Sequence, residues 1–326
     1  MKTETPTTPI DLRQAVRQLG FGILMGGADV VPGVSGGTVA LILGIYHRLV
    51  TAISHCDRRL WLLLKKQQWH EAMAHLDLPF LLSLGVGILV GVITLGGLMN
   101  ELLTQPTTRG FALAALFGLI CASLVVVGKM VLRSQPTSPP LLVAIGCVGA
   151  IFAAWLTQFT STSTNTSLPY VFGCGAIAIC AMILPGISGA YLLLILGLYD
   201  HITDILKRLP RGQVQADDLA TLGVFALGCA LGLISFSKVL RWLLQHYQGI
   251  TMALLCGLMV GALPKVWPFQ IDKSSEVQKL SHKHFENYWP ELSIEVAICV
   301  AIAGALFVGV VFLEATAARS IRTKKS

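Results

Sequence analysis

Two short stretches hold the residues whose types and spacing suit chemistry: Pro32-Gly33-Val34-Ser35-Gly36-Gly37-Thr38 and Pro185-Gly186-Ile187-Ser188-Gly189. Proline lacks an N–H and biases the residue before it away from helix, while the glycines after it permit backbone conformations that other residues resist. Helix is therefore expected to stop near Val31 and Leu184 and to restart just past each proline, with Ser35 and Ser188 placed as caps. The free N–H groups and positive dipole end of a restarting helix suit a phosphate or a carboxylate. Ser35, Thr38 and Ser188 add hydroxyl donors, and Gly33, Gly36, Gly37, Gly186 and Gly189 let backbone approach an anion closely. The competing reading is that Gly and Ser only let helices pack tightly. Packing does not explain why Pro32 and Pro185 recur.

Ionisable residues in apolar surroundings are functional candidates by default. Asp29 lies just before the first stretch, whereas its counterpart before the second is Met182. A carboxylate on one side only suits binding of a coupling H⁺ or Na⁺; the alternative is that Asp29 hydrogen-bonds N–H groups of its own turn. Lys238, Arg241 and Arg109 sit in or at the start of apolar runs, where each could neutralise a phosphate or snorkel to the membrane surface. Gly33-Val34-Ser35-Gly36-Gly37 also satisfies the G-x-S-x-G pattern of serine hydrolases. A serine nucleophile needs a base within reach, and the eight histidines all fall in loops or at the ends of apolar runs. Seven of the eight cysteines lie in apolar runs and none forms a C-x-x-C pair, so no metal site, disulfide framework or cofactor is expected.

These residues must be positioned by elements that live in lipid. Hydrophobic residues make up 54% of the chain and charged residues 13%, with a mean hydropathy of +0.71. A soluble domain carries about 25% charged residues, so too few are present to coat a water-facing surface. Six apolar runs approach the roughly 20 residues that cross a ~30 Å hydrocarbon core. They are Leu78–Leu103, Phe111–Val131, Leu141–Thr157, Leu219–Leu244, Ile250–Leu263 and Ile294–Leu313. The polar, threonine-rich N-terminus has no signal-peptide pattern. The net charge of +7 is spread over short loops, which points to membrane orientation rather than nucleic acid.

The chain repeats itself. Residues 32–46 return as 185–199, an offset of 153, with nine of fifteen positions identical. Gly91-Val92-Ile93-Thr94 then parallels Gly232-Leu233-Ile234-Ser235, and Gly110, Ala114, Leu116, Gly118 and Leu119 parallel Gly249, Ala253, Leu255, Gly257 and Leu258. The expected architecture is an all-α polytopic membrane protein made of two inverted repeats, each a re-entrant helical hairpin followed by three transmembrane helices. The first repeat covers 1–160, with its hairpin near 20–50 and spans near 78–103, 109–131 and 141–157. The second covers 168–320, with its hairpin near 170–206 and spans near 219–244, 249–264 and 293–314. The first arm, Gly20–Val31, reaches only about 18 Å at 1.5 Å per residue, too short to cross. Basic residues flank the first hairpin on both sides, as a cytoplasmic re-entrant element requires. Three crossings per half then invert the second half and place both termini in the cytoplasm. Leu60–Leu76, with Trp61, Trp69, Lys65 and Lys66, reads as an interfacial helix or a plain loop.

The two signatures, with Gly27-Ala28-Asp29-Val30-Val31 before the first and Ile183-Leu184 before the second, resemble those of the DUF368 family of bacterial membrane proteins. Phe236-Ser237-Lys238 and Cys256-Gly257-Leu258-Met259-Val260-Gly261-Ala262-Leu263-Pro264 are similar to further blocks of that family. The resemblance implies a flippase for polyprenyl (undecaprenyl) phosphate in the bacterial cytoplasmic membrane, returning the spent carrier lipid of cell-wall peptidoglycan synthesis. It places Asp29, Pro32, Ser35, Gly36, Ser188 and Lys238 in the functional region. Gly189-Ala190 in place of Gly-Gly makes the two hairpins unequal. Inverted repeats with broken helices suit a transporter, and no reaction on the lipid is required. The alternatives are a secondary carrier for a small soluble anion and an intramembrane hydrolase.

Overall fold

The computed structural model describes residues 12–29, 35–133, 138–156, 158–159, 165–273, 283 and 285–323. Val31, Pro32, Gly33 and the basic residues Lys324 and Lys325 lie outside the described residues. Helix α1 (Leu12–Asp29) leads into the first signature, and α2 (Gly36–Ile42) and α3 (Tyr46–Ser54) lead away from it. Two short helices, α4 (Arg58–Lys65) and α5 (Trp69–His75), precede three long ones: α6 (Leu78–Thr104), α7 (Pro106–Arg133) and α8 (Pro139–Leu156). The same order recurs with α9 (Leu168–Ile183), α10 (Gly189–Ile195) and α11 (Tyr199–Arg208), then α12 (Ala216–His246), α13 (Gln248–Ala262) and α14 (Ile294–Thr323). Between α13 and α14 lie a 3₁₀ turn, Leu263–Val266, and an antiparallel pair of short strands, β1 (Gln270–Asp272) and β2 (Phe285–Asn287).

Among the described residues, six helices are long and apolar enough to cross a membrane: α6, α7, α8, α12, α13 with its 3₁₀ extension, and α14. They occupy the six apolar runs of the sequence. Their outer faces carry Ile93, Val143, Ile151, Val300 and Phe312 at 62–76% exposure. So much bare aliphatic surface is tolerable only against lipid, and the protein is a multi-pass helical membrane protein.

Hydrocarbon gives helices no hydrophobic drive to associate, so close backbone contact through small residues must hold them. Gly22 and Gly26 of α1 and Gly87 and Gly91 of α6 face one another so closely that an added Cβ would strike backbone atoms. Gly175 and Gly228 serve the α9–α12 pair, and Gly149, Gly257 and Gly261 the α8–α13 pair. Helix α7 packs on α14, with Gly118 against Ala303.

A second break follows each signature. Helices α2 and α3 meet at 119°, and α10 and α11 at 112°. Gly44 (φ +69°) and Gly197 (φ +72°) make these corners. In each, the glycine N–H bonds back to Leu41 or Leu194, and the next N–H reaches Ala40 or Leu193. That pair of bonds is a Schellman ending, which needs a left-handed residue that glycine adopts without strain. The expected interfacial stretch is α4 and α5, two helices broken at Gln67, with Trp61 and Trp69 exposed.

Candidate functional site

The first signature is built around its own acid and hydroxyl. Ser35, extended at φ −124° and ψ 138°, is the N-cap of α2. Its Oγ accepts the Gly37 N–H at 3.1 Å, and Asp29 Oδ1 accepts the Gly36 N–H at 2.6 Å. The first two N–H groups of α2 are thus satisfied by side chains of the same hairpin. In the second half Ser188 caps α10 and accepts the Tyr191 N–H at 3.4 Å. Both restarting helices have only seven residues, so individual N–H groups matter more than any summed dipole.

The two signatures interlock. Ser35 Oγ donates to the Met182 carbonyl at 3.0 Å, with the Leu184 carbonyl at 3.3 Å. Thr38 Oγ1 accepts the Gly186 N–H at 3.1 Å. A Cβ on Gly37 would lie 2.5 Å from the Ile183 carbonyl oxygen, and one on Gly186 (φ +85°) 2.7 Å from Met259 backbone. Gly189 is closed off by Ala178 and Met182. Ser35, Thr38 and Ser188 are buried. Side chains of one hairpin therefore satisfy backbone that the other leaves open at its break, as unpaired backbone within a membrane protein requires.

Of the expected basic residues, Arg109 has partners outside the signatures. The guanidinium of Arg109 lies 3.1 Å from the Phe285 ring centroid and donates to Gln270 Oε1 at 2.9 Å, so it belongs to the strand pair after α13. Lys238 is exposed on α12 one turn before Arg241, which donates to Ser54 Oγ at 3.1 Å. Among the described residues, no hydrogen bond or ion pair joins Lys238 or Arg109 to Ser35 or Ser188. Lys265, from the turn after α13, reaches α10 instead: its ammonium lies 5.0 Å from the centroid of the Tyr191 ring. It directly follows the sequence block ending at Pro264, and that adjacency was the signal available for it.

Around Ser54 the chain gathers titratable groups. His55 Nδ1–H donates to the His75 carbonyl at 2.6 Å, the two rings stack at 4.5 Å, and His75 Nε2 meets Asp57 Oδ1 at 3.1 Å. Burial pushes the Asp57 carboxyl up, but the Leu60 N–H and the His75 ring outweigh it and hold the group below the usual carboxylate range. Burial lowers the His55 imidazole. Among the described residues, no cluster of three or more His, Cys, Asp or Glu could hold a metal ion.

Broken helices paired at their breaks, inside a bundle of long apolar helices, define a membrane protein of the transporter class. Residues 25–284 match the family described as undecaprenyl phosphate translocase-like, and the chain belongs to that family. A polyprenyl-phosphate transporter of Vibrio cholerae serotype O1 is 39% identical over 250 residues, 76% of each chain. A polyprenyl-phosphate transporter of Staphylococcus aureus is 30% identical over 259 residues, 76% of this chain and 84% of that one. No solved structure matches this chain at a significant level.

Proposed function

We propose that this protein translocates a polyprenyl phosphate, in the undecaprenyl size class, between leaflets of the bacterial cytoplasmic membrane, with no chemical change to the lipid. The observation that carries the reading is the interlock of the two signatures, Ser35 to Met182 and Gly186 to Thr38, in a chain whose relatives are named polyprenyl-phosphate transporters. An anionic headgroup cannot cross hydrocarbon alone, while its prenyl chain can stay in lipid. A polar seam between two broken helices lowers that barrier. To seat there, a phosphate takes over N–H groups that Asp29 and Ser35 now hold. Displacing a carboxylate by another anion links headgroup binding to the charge on Asp29, which suits a coupling H⁺ or Na⁺.

The two halves act as inverted repeats, 1–160 and 168–320, with both termini cytoplasmic. Two kinds of contact support this. The long helices pair across the halves as a two-fold exchange requires, α7 with α14 and α8 with α13. The loops before α7, after α8 and after α13 gather together through Arg109–Gln270, Tyr191–Phe159 and Lys265–Tyr191. The end of α3 instead meets the far half of α12 through Ser54 and Arg241. Alternating access then follows from one half rocking against the other.

The test is leaflet exchange in proteoliposomes. Purified protein is expected to move labelled undecaprenyl phosphate between leaflets and leave it chemically intact. Exchange no faster than in empty vesicles would overturn the reading.

A further inference from the structure

The segment between α13 and α14 has more architecture than a connection needs. Asn287 Nδ2 donates to the Pro264 carbonyl at 2.9 Å, Gln270 Nε2 to Asn287 Oδ1 at 3.1 Å, and Arg109 holds Gln270 from α7. Trp267 Nε1 donates to the Tyr288 carbonyl at 3.1 Å. The Trp267 ring meets Phe117, Phe269 and Trp289 edge-on, with centroids 5.2–5.9 Å apart. The segment is a built wall, tied at several points to the bundle.

That wall borders an open cleft of about 400 Å³ lined chiefly by Phe117, Val260, Leu263, Trp267, Tyr288 and Trp289. Directly after Pro264, which also lines the cleft, comes Lys265, exposed. Two acids of the strand pair are engaged by other lysines: Asp272 with Lys283 at 2.6 Å and Glu286 with Lys273 at 3.0 Å. Lys265 itself takes part in no ion pair among the described residues; its ammonium rests on the Tyr191 ring. Tyr191 is bonded through its N–H to Ser188, and the adjoining Gly186 packs on Met259 of α13. One wall therefore carries an apolar aromatic cleft, an ammonium in no ion pair among the described residues, and contact with the second signature.

We propose that Lys265 and the aromatic cleft form a docking site where the lipid phosphate is collected before it passes to the paired signatures. The ammonium takes the phosphomonoester headgroup and the cleft takes the isoprene units next to it, the rest of the chain staying in lipid. The volume lies in the range of small-ligand pockets, about 300–1,000 Å³, which fits the start of a prenyl chain and not its whole length. Lysine also suits a site that must release its ligand: it offers one point charge, where arginine grips a phosphate with a two-pronged fork. A phosphate that draws the ammonium off Tyr191 acts on the first turn of α10, next to the Ser188 cap. The inference rests on the polyprenyl-phosphate reading above and adds where the lipid is first held.

Equilibrium binding of radiolabelled undecaprenyl phosphate to the full chain in detergent tests it. Lys265→Gln is expected to raise Kd about tenfold, the scale of one charge-assisted hydrogen bond, and Lys265→Arg to restore binding. Trp267→Leu is expected to weaken binding of undecaprenyl phosphate, because the cleft holds the isoprene units next to its headgroup. Unlabelled undecaprenyl phosphate should displace the label, and undecaprenol and inorganic phosphate should not. Equal affinity of Lys265→Gln and the parent protein overturns the docking site, as does displacement by millimolar inorganic phosphate, which would mark a site for the free ion. A parent protein that binds no lipid phosphate and exchanges none in liposomes sinks the functional reading beneath it as well, so the two failures are distinct.

Discussion

Asp29 and Ser35 divide between them the work of opening α2. The carboxylate takes the Gly36 N–H and the hydroxyl takes the Gly37 N–H, while the hydroxyl proton points across to Met182. Replacing Asp29 by Asn keeps a carbonyl oxygen for Gly36 and removes the charge. Asp29→Asn is therefore expected to fold normally, to exchange lipid phosphate downhill and to lose gradient-driven accumulation. Unchanged accumulation in liposomes bearing an ion gradient would remove Asp29 from the coupling role. Ser35→Ala loses both a cap and a bond between hairpins, whereas Ser188→Ala loses one longer cap bond. A lost cap costs about 1 kcal/mol, and a buried carbonyl left unsatisfied adds about 1–3 kcal/mol. Thermal unfolding should thus rank Ser35→Ala clearly below Ser188→Ala. Transport should fall in part with Ser35→Ala; a hydrolase using Ser35 as its nucleophile would lose turnover altogether.

At the scale of the elements, the hairpins are held by two kinds of glycine that can be told apart. Gly44 turns the corner between α2 and α3 at φ +69°, and a Cβ there would meet nothing within 4 Å. Gly44→Ala is expected to cost about 1–2 kcal/mol from the backbone alone and to leave the signatures in contact. Gly37 does not sit at a corner; its Cβ would press on the carbonyl of Ile183 across the junction. Backbone on that side cannot yield as a flexible side chain does, so Gly37→Ala should push the hairpins apart and abolish transport. Comparable activity in the two variants would show that the junction tolerates separation. The second helix break is legible from local chemistry, since α9 ends just before Pro185, and in both signatures the serine caps the helix that follows. The corners at Gly44 and Gly197 were present in the repeat as a matched Leu-Gly-x-Tyr. A single glycine after an apolar run does not announce a bend of over a hundred degrees; the partner that α3 packs against, α12, makes the bend worthwhile.

For the whole molecule, the proposed inverted arrangement predicts that the wall after α13 and the α4–α5 corner face opposite sides. Single cysteines placed in a chain whose eight native cysteines are replaced can test it. Trp289→Cys, at an 86% exposed position, should react with an impermeant maleimide on intact cells. Lys66→Cys, also exposed, should react only after lysis. Labelling of both from the same side would rule out the inversion. Lys265 belongs at this scale too, because its place beside Tyr191 depends on how the second half folds back on itself.

What the residues alone determined was everything that depends on near neighbours. Six apolar runs demand lipid, two prolines demand breaks, two serines stand ready as caps, and a repeated signature demands two similar units. Only the tertiary structure decided where the long-range partners are. Ser35 finds a carbonyl 147 residues away, Arg109 goes to Phe285 and Gln270 rather than to the signatures, and Lys265 comes to rest on Tyr191 of α10. The physical reason is that capping and helix breaking are settled within one or two turns of chain. The partner of a charge is settled by which helices approach closely, and here that approach is governed by glycine contacts between elements far apart in sequence.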